Sequence, residues 1–361
     1  MKLEFKKNLF SIQPYIPGKP IEEVKRELGL KEVIKLASNE NPYGPSPEVL
    51  RALKREIPNL NRYPDGGCFH LRKALARRLN VDSKRIIFGN GSDEIICLAV
   101  RALVRPRDEV IVAQPSFLIY TLASRVEGAQ VRTVPLKGFY YDLKKMAALV
   151  NSRTKIIFIG NPDNPAGTYV TESQVREFLK LVPPRVLVFF DEAYFEYVQS
   201  ADYPDTLALQ KKYSNVLTTR TFSKMYALAG LRVGYGIGHP EVIDALNRLR
   251  EPFNVNSLAQ AAAVACLKDM GFYRRTAKLF TEEREYLFQS LRQMRLAFVP
   301  SVTNFILIKV AGDSSRVAGR LLRQGVIVRD MKSWGLKKYI RVTIGTHAEN
   351  QKFIQELGEI L

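Results

Sequence analysis

The sequence predicts an α/β protein with a large, mostly parallel sheet domain and a smaller α+β domain after it. Three observations predict this. Short, near-continuous apolar runs recur through the middle of the chain, helical stretches separate them, and the pattern changes after about residue 251. Strands that are apolar throughout and alternate with helices read as a parallel sheet covered on both faces. At 361 residues the chain also exceeds the usual single-domain size, so about two domains are expected.

The elements follow in order. Ser46, Pro47 and Glu48 make a helix start, with Ser46 as N-cap and Pro47 at the first helical position. RIIF at 85–88 is a strand that runs into GNGSDEIICLAVRALV, a turn and then a helix. EVIVA at 109–113 ends in QPSF, KIIFIG at 155–160 in NPDNPAG, and VLVFF at 186–190 in DEAY. NVLTT at 215–219 leads into TFSKMYALAGL, and RVGYGIG follows at 232–238. A long helical tract from 256 to about 294 comes next. After it stand TNFILIKV, a helix around 316–324, VIVRD and KYIRVTIG. The expected division is an N-terminal segment (1–45) packing with the small domain, a large domain (46–250), and a linking helix with the small domain (251–361). There are no internal repeats and no low-complexity segments.

Composition excludes several classes. Hydrophobic residues make up 46% and charged residues 25%, which is ordinary for a folded globular protein. The longest apolar runs, such as AAAVACL at 261–267, fall well short of a membrane span. The start, MKLEFKKNLF, carries charges where a signal peptide needs an apolar run, so a cytoplasmic location is expected. Cys68, Cys97 and Cys266 form no CxxC, and His70, His239 and His347 are isolated, so no metal site is expected. The net charge of +19 is spread in pairs such as Lys6-Lys7 and Arg274-Arg275, with no run long enough to read as a nucleic-acid-binding tail. Solvated helix faces account for most of it, and a positive field that draws in anionic substrates is a further use.

In open α/β sheets, ligands bind beyond the carboxyl ends of the strands. Residues 89–94, Phe117, Asn164, Asp191 and Lys224 each lie just past such an end. That convergence singles out Lys224, in TFSKMYALAGLRVGYG, from the chain's many other lysines.

The same motifs carry a resemblance. TFSKMYALAGLRVGYG, with NPDNPAG and DEAY upstream, resembles the pyridoxal 5'-phosphate (PLP) enzymes of the aspartate aminotransferase fold. SIQPYIPGKPIEEV, LASNENPYGPSP and RYPD are similar to one subfamily, the histidinol-phosphate aminotransferases. The match spans essentially the whole chain with its motifs in register. It implies the PLP-dependent transferase fold, with Lys224 as the amine that holds the cofactor aldehyde. An ordinary lysine has a pKa of about 10.4, so burial or nearby cations must lower it, and Arg232 would provide a nearby cation. A phosphate dianion needs a guanidinium fork, hydroxyls and a helix N-terminus, which Arg232, Thr221, Ser223 and the amides of Ser92 and Asp93 match. Asp191 matches the buried carboxylate that keeps the ring nitrogen protonated. By the same resemblance Asn164 and Tyr194 bind the ring hydroxyl and Phe117 stacks on the ring. Tyr63 reaches a partner subunit's phosphate site, which implies a homodimer.

For the substrate, Tyr339, Arg341 and Thr343 share one strand face and Ile340, Val342 and Ile344 the other, so Arg341 points away from the small domain's core. The resemblance implies that Arg341 grips a carboxylate, that Arg329 and Tyr15 meet a substrate phosphate, and that Asn39 lines the site. It implies transamination of L-histidinol phosphate with 2-oxoglutarate in histidine biosynthesis, small-molecule partners, and neither a membrane nor a nucleic-acid partner. A PLP-dependent decarboxylase acting on a compound such as threonine phosphate and a broad aromatic aminotransferase share most of these motifs. A nucleic-acid-binding regulator on this fold would need a further domain for which the chain has no room.

Overall fold

The computed structural model describes residues 3–14 and 18–361, so Tyr15 lies outside the described residues. The first strand, β1 (Ile34–Leu36), is short. Seven more follow: β2 (Ile86–Gly89), β3 (Glu109–Gln114), β4 (Gln130–Pro135), β5 (Thr154–Gly160), β6 (Leu187–Asp191), β7 (Val216–Thr221) and β8 (Gly234–Ile237). They form one sheet in the order β2-β8-β7-β6-β5-β3-β4. β9 (Phe298–Val299), β10 (Phe305–Lys309), β11 (Val326–Asp330) and β12 (Tyr339–Thr343) join β1 in a second sheet, ordered β1-β11-β12-β10-β9.

The large sheet is parallel through β4, β3, β5, β6 and β7, as the continuous apolar runs predict. Side chains alternate between two buried faces: Ile157, Ile159, Val188 and Phe190 pack on one, Ile156, Phe158 and Phe189 on the other. With both faces covered by helices, no polar alternation survives in β5 and β6. β8 is antiparallel to both β7 and β2, because the link from β7 is a loop without the crossover helix that a parallel return needs. The sequence reading missed β4. It is an edge strand with mostly exposed side chains, and QVRTVP carries too little apolar signal. It missed β1 as well, whose partner among the described residues is β11, far away in sequence.

One expectation needs correction. The helical tract after residue 256 is two helices, Ser257–Lys268 and Met270–Gln293, separated at Asp269 (φ −105°, ψ 52°), whose carboxylate accepts from the Phe272 amide. An apolar pattern that continues across the break hides it. Ser46 is the N-cap of the helix Pro47–Glu56 with Pro47 in its first turn, as expected, and its hydroxyl makes no capping bond among the described residues. Among the described residues no helix is long and apolar enough to cross a membrane.

One buried ion pair ties together the strand ends that matter below. Arg220 on β7 donates to Glu192, one residue past β6, at 2.8 Å, and both side chains are buried. The Arg220 guanidinium also lies over the Phe195 ring, 3.6 Å from its centroid. Asp191 and Thr221 are the chain neighbours of this pair. Removing one partner leaves a buried charge uncompensated. Arg220→Met is therefore expected to lower stability by about 3–5 kcal/mol, read as a lower urea midpoint of unfolding.

Candidate active site

The loop 222–233 between β7 and β8 carries Lys224 into a cavity of about 280 Å³, where the carboxyl ends of β5, β6 and β7 meet residues of the smaller sheet. Lys224 Nζ donates to the Ser38 carbonyl at 3.2 Å and stands 5.8 Å from the Tyr194 ring centroid. Its pKa is lowered from 10.5 to about 8, first by burial and then by the Arg341 guanidinium. Asp93 and Glu40 oppose the shift, and Arg232 adds a smaller push. The sequence pointed to Arg232 as the nearby cation. The structure makes Arg341, more than a hundred positions away in sequence, the stronger one.

One end of the cavity is an anion cradle. The helix Ser92–Leu103 begins there, with Gly91 as N-cap at φ 81°. Arg232 Nη1 lies 3.4 Å from Ser223 Oγ, Nη2 lies 3.4 Å from Asp93 Oδ2, and Thr221 Oγ1 donates to Ser223 Oγ at 3.0 Å. Two glycines make this approach possible. A Cβ on Gly91 would fall 2.4 Å from Arg232 Nη2, and one on Gly234 would fall 2.5 Å from the Ser92 amide nitrogen. Free helix amides, a guanidinium and two hydroxyls fit a phosphate dianion.

Asp191, the last residue of β6, lines the same cavity. It is 6% exposed and has no ion-pair partner among the described residues. It accepts from Tyr120 Oη at 2.8 Å and from the Ala193 amide at 3.2 Å. Burial pushes its carboxyl up to about 6, against the pull of the Tyr120 bond. A buried carboxylate in this state fits a protonated ring nitrogen, which would supply the opposite charge. Phe117 lines the same cavity and meets Tyr120 edge-on at 5.5 Å. Tyr120 was missed from sequence. It lies three residues after Phe117, but nothing local says that its hydroxyl reaches β6.

A third group crosses between the two sheets. Arg341 on β12 donates through Nη1 to Asn164 Oδ1 at 2.5 Å and through Nη2 to the Ala37 carbonyl at 3.0 Å. Asn164 also donates to Tyr194 Oη at 3.4 Å, and Asn39 donates to the same oxygen at 2.8 Å. Asn39 sits at φ 55°, and its backbone amide donates to the Thr343 hydroxyl at 2.9 Å. Under the Asn164 loop, Asp163 is buried and accepts from Tyr141 Oη and the Ala166 amide, each at 3.0 Å; burial lifts its carboxyl to about 7. Arg329 on β11 is directly opposite Arg341 in the antiparallel register and lines the same cavity.

The cavity thus brings together Lys224, Ser92, Asp93, Phe117, Asn164, Asp191, Tyr194, Thr221, Ser223, Arg232, Asn39, Arg329 and Arg341. It does not include Tyr63, which is 83% exposed, stacks on Phe253 at 4.8 Å and lines a separate surface cleft.

Comparison with known proteins agrees with this geometry. The profile of aminotransferase class I and II matches residues 31–357. The chain is 49% identical over 354 residues to a histidinol-phosphate aminotransferase of Moorella thermoacetica, covering 98% of this chain and 92% of that one. It is 46% identical over 357 residues to histidinol-phosphate aminotransferase 2 of Carboxydothermus hydrogenoformans, covering 99% of each. The structure superposes on the crystal structure of histidinol-phosphate aminotransferase from Sinorhizobium meliloti, solved in complex with pyridoxal 5'-phosphate. The TM-score is 0.92 at 28% identity, covering 100% of this chain and 98% of that one. Thermus thermophilus aspartate aminotransferase with maleate shares the fold, with a TM-score of 0.87 at 22% identity and full coverage of both chains.

The lowered Lys224 pKa has two consequences. Between about 8 and 10.5 the unfolded chain binds the proton that the folded one has lost, so this group's contribution makes stability rise with pH across that window. The neutral amine is also the form that attacks an aldehyde. Attachment of PLP to the apoprotein, followed by absorbance, is expected to speed up with pH to a midpoint near 8. Arg341→Gln removes a neighbouring cation, so it should move that midpoint to higher pH.

Proposed function

This chain belongs to the class I and II aminotransferases and, among them, to the histidinol-phosphate aminotransferases, and on that premise we propose that it transfers the amino group of L-histidinol phosphate to 2-oxoglutarate. The products are imidazole acetol phosphate and glutamate, a step of histidine biosynthesis. The observation that carries the reading is a lysine of lowered pKa between an anion cradle and a pair of arginines.

The cofactor is pyridoxal 5'-phosphate, which supplies an aldehyde for the amine and a ring that accepts electrons when the substrate Cα–H bond breaks. Arg232, Thr221, Ser223 and the amides of Ser92 and Asp93 would hold its phosphate. Asp191, steadied by Tyr120, would keep a proton on the ring nitrogen. Asn164 and Tyr194 would bind the ring hydroxyl, and Phe117 would stack on the ring. Lys224 would hold the aldehyde and would be the base that takes the proton from the substrate Cα. Arg341, Arg329, Asn39 and Tyr15 bind the substrate. Two arginines on one strand pair can take the phosphate of one substrate or a carboxylate of the other.

In this reading residues 1–45 work with the small domain 251–361 against the large domain 46–250, and the enzyme is a cytoplasmic homodimer. Tyr63, exposed beside Phe253 in the single chain, completes the phosphate cradle of the partner subunit. Small molecules are its partners, and no nucleic acid or membrane is involved.

Lys224→Ala is expected to abolish turnover and to leave PLP removable by dialysis, whereas borohydride reduction of the wild type fixes PLP on Lys224, as peptide mass spectrometry would show. Near-normal turnover in the variant would refute the assignment. L-histidinol phosphate should bleach the holoenzyme's yellow colour and 2-oxoglutarate should restore it. Carbon dioxide release would instead favour the decarboxylase, and equal efficiency on phenylalanine a broad aromatic specificity. For the shared site, mixing inactive Lys224→Ala with a Tyr63→Ala variant and allowing subunits to exchange should raise activity above that of either alone. An unchanged sum would place Tyr63 outside the site.

A further inference from the structure

Arg329 and Arg341 face the cavity from directly opposed positions on β11 and β12. Like charges placed so are unfavourable until an anion lies between them, so their geometry has to be imposed by neighbours. Arg341 is set by Asn164 and the Ala37 carbonyl. Beside Arg329 stands Trp334, the chain's sole tryptophan, with the guanidinium carbon 5.0 Å from its ring centroid.

Trp334 is itself firmly placed. It ends the single turn Lys332–Trp334, which Gly335 closes at φ 79°. It is 6% exposed and packs with Val299, Leu307 and Met331 of the smaller-sheet region and with Leu118 and Phe139 from the large-sheet side. Its indole N–H is buried and makes no hydrogen bond among the described residues, so packing and the cation account for its position. Trp334 and Arg329 line both the Lys224 cavity and, among the described residues, a second cavity of about 620 Å³. The indole face therefore restrains the guanidinium between two spaces.

We infer that Trp334 is a positioning residue for anion recognition: its indole face holds the Arg329 guanidinium towards the Lys224 cavity, where it takes a substrate's phosphate or carboxylate. This rests on the transaminase reading above, and it assigns to Trp334 no contact with the reacting atoms.

The test uses holoenzymes carrying Trp334→Phe, Trp334→Leu or Arg329→Gln. Phe keeps a π face, and Leu keeps only apolar bulk. Trp334→Leu is expected to raise the KM for L-histidinol phosphate and the inhibition constant of inorganic phosphate by about 5- to 30-fold, the range of a partly desolvated cation–π contact. Its kcat should change little, and inhibition by L-histidinol, which lacks the phosphate, should not weaken. Trp334→Phe should recover most of the loss. Equal losses in the Phe and Leu variants, or parallel shifts for phosphate and L-histidinol, would show a packing role and overturn the inference; so would no shift at all.

A second readout needs no turnover. Inorganic phosphate should change the tryptophan emission of the wild-type holoenzyme and leave that of Arg329→Gln unchanged, and silence in the wild type would count against the coupling. If L-histidinol phosphate proves not to be a substrate while the phosphate constants still separate as described, the proposed substrate fails and the role of Trp334 stands.

Discussion

An amine that must react as a nucleophile has to be kept from holding its proton too tightly, and here that requires a contact between the two sheets. Burial alone moves Lys224 part of the way, and Arg341 on β12 supplies the next-largest push. Asn164, past β5, and the Ala37 carbonyl, past β1, help to hold its guanidinium at the cavity. Separating the sheets would therefore raise the lysine pKa.

The cavity also holds potentials of both signs. A helix N-terminus and Arg232 offer positive potential, and Asp191 offers a buried negative one. Burial lifts the Asp191 carboxyl to about 6. A ligand with a phosphate and a protonatable ring nitrogen complements both. The Arg220–Glu192 pair keeps the two strand ends in step, since its members are the chain neighbours of Thr221 and Asp191.

Glycine sets how closely these parts approach. Gly234 lets β8 run against the Ser92 amide, and Gly91 lets the chain turn into the helix beneath Arg232. Arg232 itself adopts a left-handed conformation (φ 56°) that a residue with a side chain takes at a cost. The loop between β7 and β8 thus holds strain at the place where the anion cradle and the lysine are set relative to each other.

Much of this was legible in the chain itself. Apolar runs marked the strands, and the polar residues just after them marked the site, because a parallel sheet delivers every strand's carboxyl end to one edge. Motif order marked the family. Tertiary structure alone decided what depends on distant segments meeting: Tyr120 behind Asp191, Arg341 as the main cation near Lys224, Arg329 against Trp334, and β1 beside β11. Tyr63 shows the remaining boundary, for its ring stacks on Phe253 at the surface of the single chain and lies outside that chain's own cavity. The physical reason is the same throughout. Local sequence determines period, turn and strand end, whereas pKa, charge pairing and cavity walls arise from groups that only the folded chain brings within a few ångströms of one another.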